Sequence, residues 1–280
     1  MSLKRKYIQV ISALLYNANF KGFAEGKIYQ GKIKNVCVPG LNCYSCPGAV
    51  GACPLGSFQN AIYSSGKTIP FYIVGTLLLL GVIFGRVICG FLCPFGLIQE
   101  LIYKIPSPKI KKNKVTKALS KLKYVILVVF VFVLSAIKEY PAFCKYICPA
   151  GTIEGGIPLA LGNPSIAAML GTLFTWKSIV LCIIVIGAVF IYRDFCRFIC
   201  PLGAIYSFFN KIAFMGVCVD ETKCDNCGRC IRECKMDVSH VGDMECIQCG
   251  ECKAKCHKNA IMSKREFYKR NGELKNEKVQ

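Results

Sequence analysis

Twenty of the 280 residues are cysteine, and eight of these fall in two runs of the same spacing. Each run reads Cys-x-x-Cys-x-x-Cys-x-x-x-Cys: first Cys224, Cys227, Cys230 and Cys234, then Cys246, Cys249, Cys252 and Cys256. Three thiolates this close in sequence can hold three corners of an iron–sulfur cubane, which needs a fourth thiolate from elsewhere. Paired Cys-x-x-Cys also binds zinc, but a zinc ribbon uses four ligands and gives no reason for eight. Iron–sulfur chemistry is therefore the expectation for residues 218–262.

The spacing resembles the two-[4Fe–4S] ferredoxin domain, a small α+β unit. In that family the fourth cysteine of each run ligates the other cluster. The resemblance implies one set of Cys224, Cys227, Cys230 and Cys256, and a second of Cys246, Cys249, Cys252 and Cys234. The chain departs from the pattern in one respect. Lys235 and His257 stand where proline usually follows the fourth cysteine.

What surrounds these runs is not a soluble ferredoxin. The chain is 54% hydrophobic with a mean hydropathy of +0.43, yet its net charge is +20, a combination typical of a membrane protein with basic loops. Lys and Arg crowd the flanks of apolar segments, so the charge suits a membrane surface and not nucleic acid. A disulfide-rich secreted chain would be much shorter. The two histidines, His240 and His257, both lie in the stretch 218–262, which excludes a bis-histidine haem in the membrane.

Four apolar segments are candidate spans: Tyr7 to Phe23, Ile69 to Ile88, Leu122 to Ile137, and Ser165 to Tyr192, the last crossing from near Lys177 onward. The first is interrupted by Asn17, Asn19 and Lys21. It follows Lys4, Arg5 and Lys6, as a signal peptide would, but no small-residue cleavage site comes after it, and a retained anchor is expected. Basic residues cluster at the amino terminus and in the loop holding Lys104, Lys109, Lys111, Lys112, Lys114, Lys117, Lys121 and Lys123. The positive-inside rule puts both in the cytoplasm. Four spans then return residues 218–262 and the basic tail 263–280 to the same side. Residues 25–68 and 138–163 face outward.

The other cysteines form a repeat. Cys-Pro-x-Gly occurs at Cys53, Cys93, Cys148 and Cys200, and Cys89, Cys144 and Cys196 precede the last three by four residues. Cys46, Cys43 and Cys37 precede the first. The alternation of span, cysteine turn and amphipathic stretch defines two tandem halves, about 1–105 and 120–215. Proline after cysteine suits the first position of a helix and puts the cysteine at the N-cap, where backbone N–H groups stabilise a thiolate. Arg86 and Arg193 each stand three residues before a cysteine pair. They either screen a buried anionic cofactor or serve as snorkelling anchors.

Topology groups Cys89, Cys93, Cys196 and Cys200 at the cytoplasmic face, enough for one [4Fe–4S] cluster. Cys43, Cys46, Cys53, Cys144 and Cys148 group at the outer face, one more than a cluster requires. Cys37 could form a disulfide with Cys43 or Cys53 in an oxidising exterior, and the thiols could instead bind copper. Cys182 is expected as a small apolar core residue and Cys218 as unligated. Glu100, Glu139, Glu154 and Asp194 could relay protons beside a quinone. The plainer expectation makes them helix-end caps or partners of Arg86 and Arg193.

Taken together, the Cys-x-x-x-Cys-Pro turns, four spans and carboxy-terminal cysteine runs resemble the polytopic membrane ferredoxins of the NapH and NosR type. The resemblance implies a mainly α fold: a four-span transmembrane bundle of two tandem halves plus a small α+β two-cluster domain. It implies an electron-transfer subunit, not a stand-alone enzyme. Such a subunit links a cytoplasmic donor, a ferredoxin or quinol, to an extracytoplasmic flavoprotein or reductase. The chain lacks the extracytoplasmic flavin domain of the NosR kind, so any flavin belongs to a partner. The alternative is a membrane copper reductase of the CcoG kind, using the Cys-Pro thiols with the ferredoxin clusters as electron source. A redox sensor is a weaker third reading. One difficulty attends all of these: a core of about 30 Å separates the two faces.

Overall fold

The computed structural model describes residues 2–64 and 70–277. Ile69, where the second expected span begins, and residues 278–280 of the tail lie outside the described residues. The chain is mainly helical. Among the described residues, two helices are long and apolar enough to cross a membrane: Lys114–Lys138, of 25 residues, and Thr172–Phe190, of 19. A third apolar helix, Phe71–Phe84, has 14 residues and ends where Gly85 turns the chain at φ 51°.

The first expected span is not one helix. Ser2–Tyr16 is helical and Phe20–Glu25 forms a second, short helix. Asparagine side chains compete with the backbone for hydrogen bonds, and Asn17 Nδ2 does so here by donating to the Ala13 carbonyl at 3.1 Å. Asn17 Nδ2 also donates to Asn42 Oδ1 at 3.0 Å and Asn19 Nδ2 to the Pro47 carbonyl at 2.9 Å. The Ser2–Tyr16 helix is also inside out. Arg5, Gln9 and Ser12, at helical spacing, are buried, whereas Tyr7, Ile11, Leu14 and Leu15 are exposed. Phe71–Phe84, Lys114–Lys138 and Thr172–Phe190 likewise present apolar outer faces, with Leu79, Val125 and Ile183 among the exposed residues. Apolar surface of this extent belongs against another apolar phase. The fourth expected span starts late: Pro164–Ala168 is a separate short helix before Thr172.

Between the Phe20–Glu25 helix and the helix Pro54–Ser64, residues 36–53 form a closed loop that enters the bundle. Its neck is a parallel bridge between Cys37 and Ala52, with Val38 N donating to Ala52 O and Ala52 N to Val36 O, both at 3.0 Å. Its tip is buried: Leu41 is 3% exposed and Asn42 fully enclosed. Tyr206, itself fully buried, donates its hydroxyl to the Pro39 carbonyl at 3.0 Å. Each Cys-Pro-x-Gly turn starts a helix, as the spacing predicts. Cys93 and Cys200 are N-caps of Pro94–Ile102 and Pro201–Phe209, and the Gly203 N–H points at Cys200 Sγ, 3.4 Å away. π-helical turns at Ile88–Leu92 and Gly151–Gly156 re-aim the backbone beside two of these cysteines.

The cysteine runs lie between two short antiparallel strands, Val217–Val219 and Ile261–Ser263, paired with Val217 opposite Ser263. Asn226 and Gly228 in the first run, and Gln248 and Gly250 in the second, have positive φ at matching positions. The two loops therefore curl the same way. This unit is bolted to the helices. Asn210 Nδ2 donates to the carbonyls of Asp243 and Cys246, Lys123 and Arg86 pair with Glu245, and Arg197 pairs with Asp237 in a fully buried bridge. Lys264 Nζ donates to the carbonyls of Asn210, Lys211 and Ala213.

Candidate metal centres

Cys89, Cys93, Cys196 and Cys200 come from the two halves and meet. Burial, then the adjacent Cys196 and Cys89, push the Cys93 thiol up to about 12, and Cys200 feels Cys196, Cys89 and Cys93 in turn. Four such thiols cannot all ionise against one another without a compensating cation. The surroundings are cationic. Arg86 and Arg193 are fully buried and so are not lipid-facing anchors. Arg193 lies against the Cys89 carbonyl, to which it donates at 2.5 Å, and against Glu100. Arg86 donates to the Met244 carbonyl and to Glu245, and its Nε and Nη2, buried with no other partner among the described residues, face the Cys89 thiol. Guanidinium N–H groups next to four thiols suit an anionic cofactor, and a [4Fe–4S] core with its thiolates is anionic.

The outer thiols divide. Cys43, Cys53, Cys144 and Cys148 line a single cavity of about 290 Å³, together with Lys145 and Lys177. Burial first, and neighbouring thiols next, push Cys43 and Cys148 up to about 12. Cys46, expected with this set, is absent from the cavity; its thiol faces Asn17 Oδ1 at 3.5 Å. Cys37 is a free thiol, and no disulfide occurs among the described residues. The N–H of Cys43 donates to the Glu154 carboxylate at 2.6 Å. Glu100 instead ties Arg5, Tyr192 and Arg193 together, Glu139 caps a helix end, and Asp194 begins the Asp194–Phe198 helix. Cys182 is exposed on the apolar face of Thr172–Phe190, not in the core. Cys218 sits in the strand Val217–Val219, with its thiol 3.9 Å from the Met262 carbonyl, and lines a cavity that Cys224 and Cys230 also border.

In the carboxy-terminal unit, Cys230, Cys234, Cys246, Cys249 and Cys252 line one cavity of about 210 Å³. Burial and the thiols of Cys246, Cys249 and Cys234 push Cys252 up to about 12. Cys224 and Cys227 neighbour Cys230. Cys256 ends the turn Glu251–Lys255, and the adjacent His257 pairs with Asp225 at 2.8 Å, beside Cys227.

Two residues absent from the sequence reading touch the sulfurs. Gln99 Nε2 donates to Cys196 Sγ at 3.0 Å, and Gln59 Nε2 to Cys144 Sγ at 3.3 Å. The signal was present, since Cys-Pro-x-Gly-x-x-Gln occurs at both Cys53 and Cys93. The groups of thiols are also close to one another. A Cβ placed on Gly40, in the buried loop, would lie 3.1 Å from Cys93 Cα, and one on Gly90 would strike the Ile247 carbonyl. Cys43 thus follows three residues after a contact with Cys93, and Cys89 adjoins a contact with the second cysteine run.

The 4Fe-4S binding domain family matches residues 68–113, 124–157 and 170–215, which hold three of the four Cys-Pro turns. An uncharacterized Methanocaldococcus jannaschii protein, MJ0750, is 31% identical over 204 residues, 69% of this chain and 78% of its own length. The regulatory protein NosR of Pseudomonas aeruginosa is 29% identical over 171 residues, 56% of this chain, which spans only 21% of NosR. The methylamine utilization ferredoxin-type protein MauN of Paracoccus denitrificans is 26% identical over 153 residues, 54% of this chain and 48% of its own length. No solved structure matches the chain. With thiols gathered from both halves and these relatives, the chain belongs to the membrane-associated, ferredoxin-type 4Fe-4S electron-transport proteins of the NapH and NosR type.

Proposed function

We propose that the chain is a membrane-integral conductor that passes electrons between a cytoplasmic donor, a ferredoxin or quinol, and an extracytoplasmic flavoprotein or reductase. Four sets of thiols hold its centres: Cys224, Cys227, Cys230 and Cys256; Cys246, Cys249, Cys252 and Cys234; Cys89, Cys93, Cys196 and Cys200; and Cys43, Cys53, Cys144 and Cys148. [4Fe–4S] clusters at these sets would supply reversible one-electron storage. The chain's own residues do the rest. Arg86 and Arg193 balance negative charge at the inner set, and the buried loop carries Cys43 inward.

The contact of Gly40 with Cys93 carries this reading. Three residues span at most about 11 Å, so Cys43 cannot be farther than that from a residue touching Cys93. One step across a core of about 30 Å is thereby shortened to about 11 Å of backbone. Four helices with apolar outer faces support four crossings, and Phe71–Phe84, about 21 Å long at 1.5 Å per residue, fits a locally thinned bilayer. The basic loop meets the carboxy-terminal unit, with Lys112 donating to the Ile231 carbonyl and Lys117 to Ser239. Both therefore share one face, the cytoplasmic one by the positive-inside rule, which puts both termini inside.

Iron and acid-labile sulfide per chain in anaerobically purified protein test the proposal. Four [4Fe–4S] centres give about sixteen iron atoms. About eight, with copper in the remaining thiols, would replace the conductor with a metal reductase.

A further inference from the structure

The residue six positions after each Cys-Pro cysteine reaches across to the other half of the molecule. These residues are Gln59, Gln99, Glu154 and Tyr206. Glu154 and Tyr206 take hold of the buried loop, at the Cys43 N–H and the Pro39 carbonyl. Gln59 and Gln99 do something different, and they do it identically. Each accepts the N–H of the residue before a cysteine, Phe143 N at 3.0 Å and Phe195 N at 3.1 Å. Each also bends its amide back towards the carbonyl four residues earlier, Leu55 or Phe95. A backbone N–H can only donate, so it fixes the amide oxygen on its side and turns the NH₂ towards sulfur. Gln59 is 0% and Gln99 1% exposed, so no water competes for these bonds.

We propose that Gln59 and Gln99 are paired positioning residues that set the reduction potentials of the outer and inner centres separately, through N–H···S bonds to Cys144 and Cys196. Hydrogen bonds to ligating sulfur withdraw charge from the thiolate, favour the reduced, more negative state and raise the potential. This inference rests on the thiol sets proposed above. Within the inner set, Gln99 serves a thiol contributed by the opposite half, so the same bond holds the two halves in register.

The test is an EPR-monitored redox titration of the full chain in detergent, with the inner signal identified by its loss in Cys196→Ser. Gln99→Glu keeps the acceptor for Phe195 N–H and removes the donor to sulfur, and Gln99→Met removes both at similar length. Both variants should shift the inner midpoint to lower potential and leave the outer one in place, and Gln59→Met should do the reverse. A shift in Gln99→Glu alone would be a charge effect and would overturn the proposal. So would unmoved midpoints, or loss of the inner centre in both Gln99 variants. Wild-type protein with iron for the carboxy-terminal runs only would instead refute the thiol sets themselves, which separates the two failures.

Discussion

Gly40 and Cys93 lie backbone to backbone, so that a side chain on Gly40 would meet Cys93 Cα and the Leu92 carbonyl at 3.1 Å and Pro94 Cδ at 3.3 Å. The buried loop and the inner cysteine turn approach this closely because Gly40 has no Cβ, and an added one would need its neighbours to give by a few tenths of an ångström. Neighbours at this distance are backbone and ring atoms, with little freedom to yield.

Gly40→Leu is expected to push the loop outward. Magnetic coupling between the inner and outer centres should weaken, and electron delivery to an external acceptor should fall at least tenfold, while iron content stays near wild type. EPR of the fully reduced protein, with stopped-flow reduction, checks this. Unaltered coupling would show that the loop is not the link between the centres.

Glu100 gathers Arg5, Tyr192 and Arg193, with bonds of 2.7, 2.6 and 3.0 Å to one carboxylate oxygen. Burial alone would raise its pKa, but Arg193 and Arg5 outweigh burial and hold it at about 2. The depressed value means that the carboxylate stabilises the fold fully above the usual carboxylate range. That contribution is lost as pH falls towards about 2. Glu100→Gln leaves two buried guanidinium groups under-compensated and should cost on the order of 3–5 kcal/mol, read as a lowered unfolding midpoint in detergent at neutral pH. The deficit should shrink as the wild type is acidified through that window.

Cys46→Ser should retain the iron of the outer centre, because Cys46 faces Asn17 and not the cavity. Cys144→Ser should lose about four iron atoms per chain. Equal losses in both variants would return Cys46 to the ligand set.

Arg86→Met removes a fully buried positive charge that faces the Cys89 thiol. The inner centre's midpoint should fall, while the two carboxy-terminal midpoints move less. Arg86→Lys should restore it only in part, since a single ammonium cannot both reach Glu245 and face Cys89 as the guanidinium does.

The chemistry of this protein was legible in the chain itself. Cysteine spacing is local, so the two runs from Cys224 to Cys256 and the Cys-Pro turns could be read one residue after another. The N-caps followed from proline alone. Hydropathy located the apolar parts of Lys114–Lys138 and Thr172–Phe190 for the same reason, but not the start of the first, whose Lys114 to Lys121 read as loop. Contacts across the two halves decided everything else. That Cys43 and not Cys46 joins Cys144 depends on how a loop with a neck at Cys37 and Ala52 folds into the bundle, and no spacing encodes that. Helix Ser2–Tyr16 stops at Tyr16 because Asn17 and Asn19 find partners 25 and 28 residues away. Arg86 and Arg193 could have been surface anchors by sequence, and only burial against sulfur and Glu100 distinguishes the two roles. The glutamines waited on the fold for the same reason: a side-chain amide acquires a direction only when a distant backbone N–H fixes it.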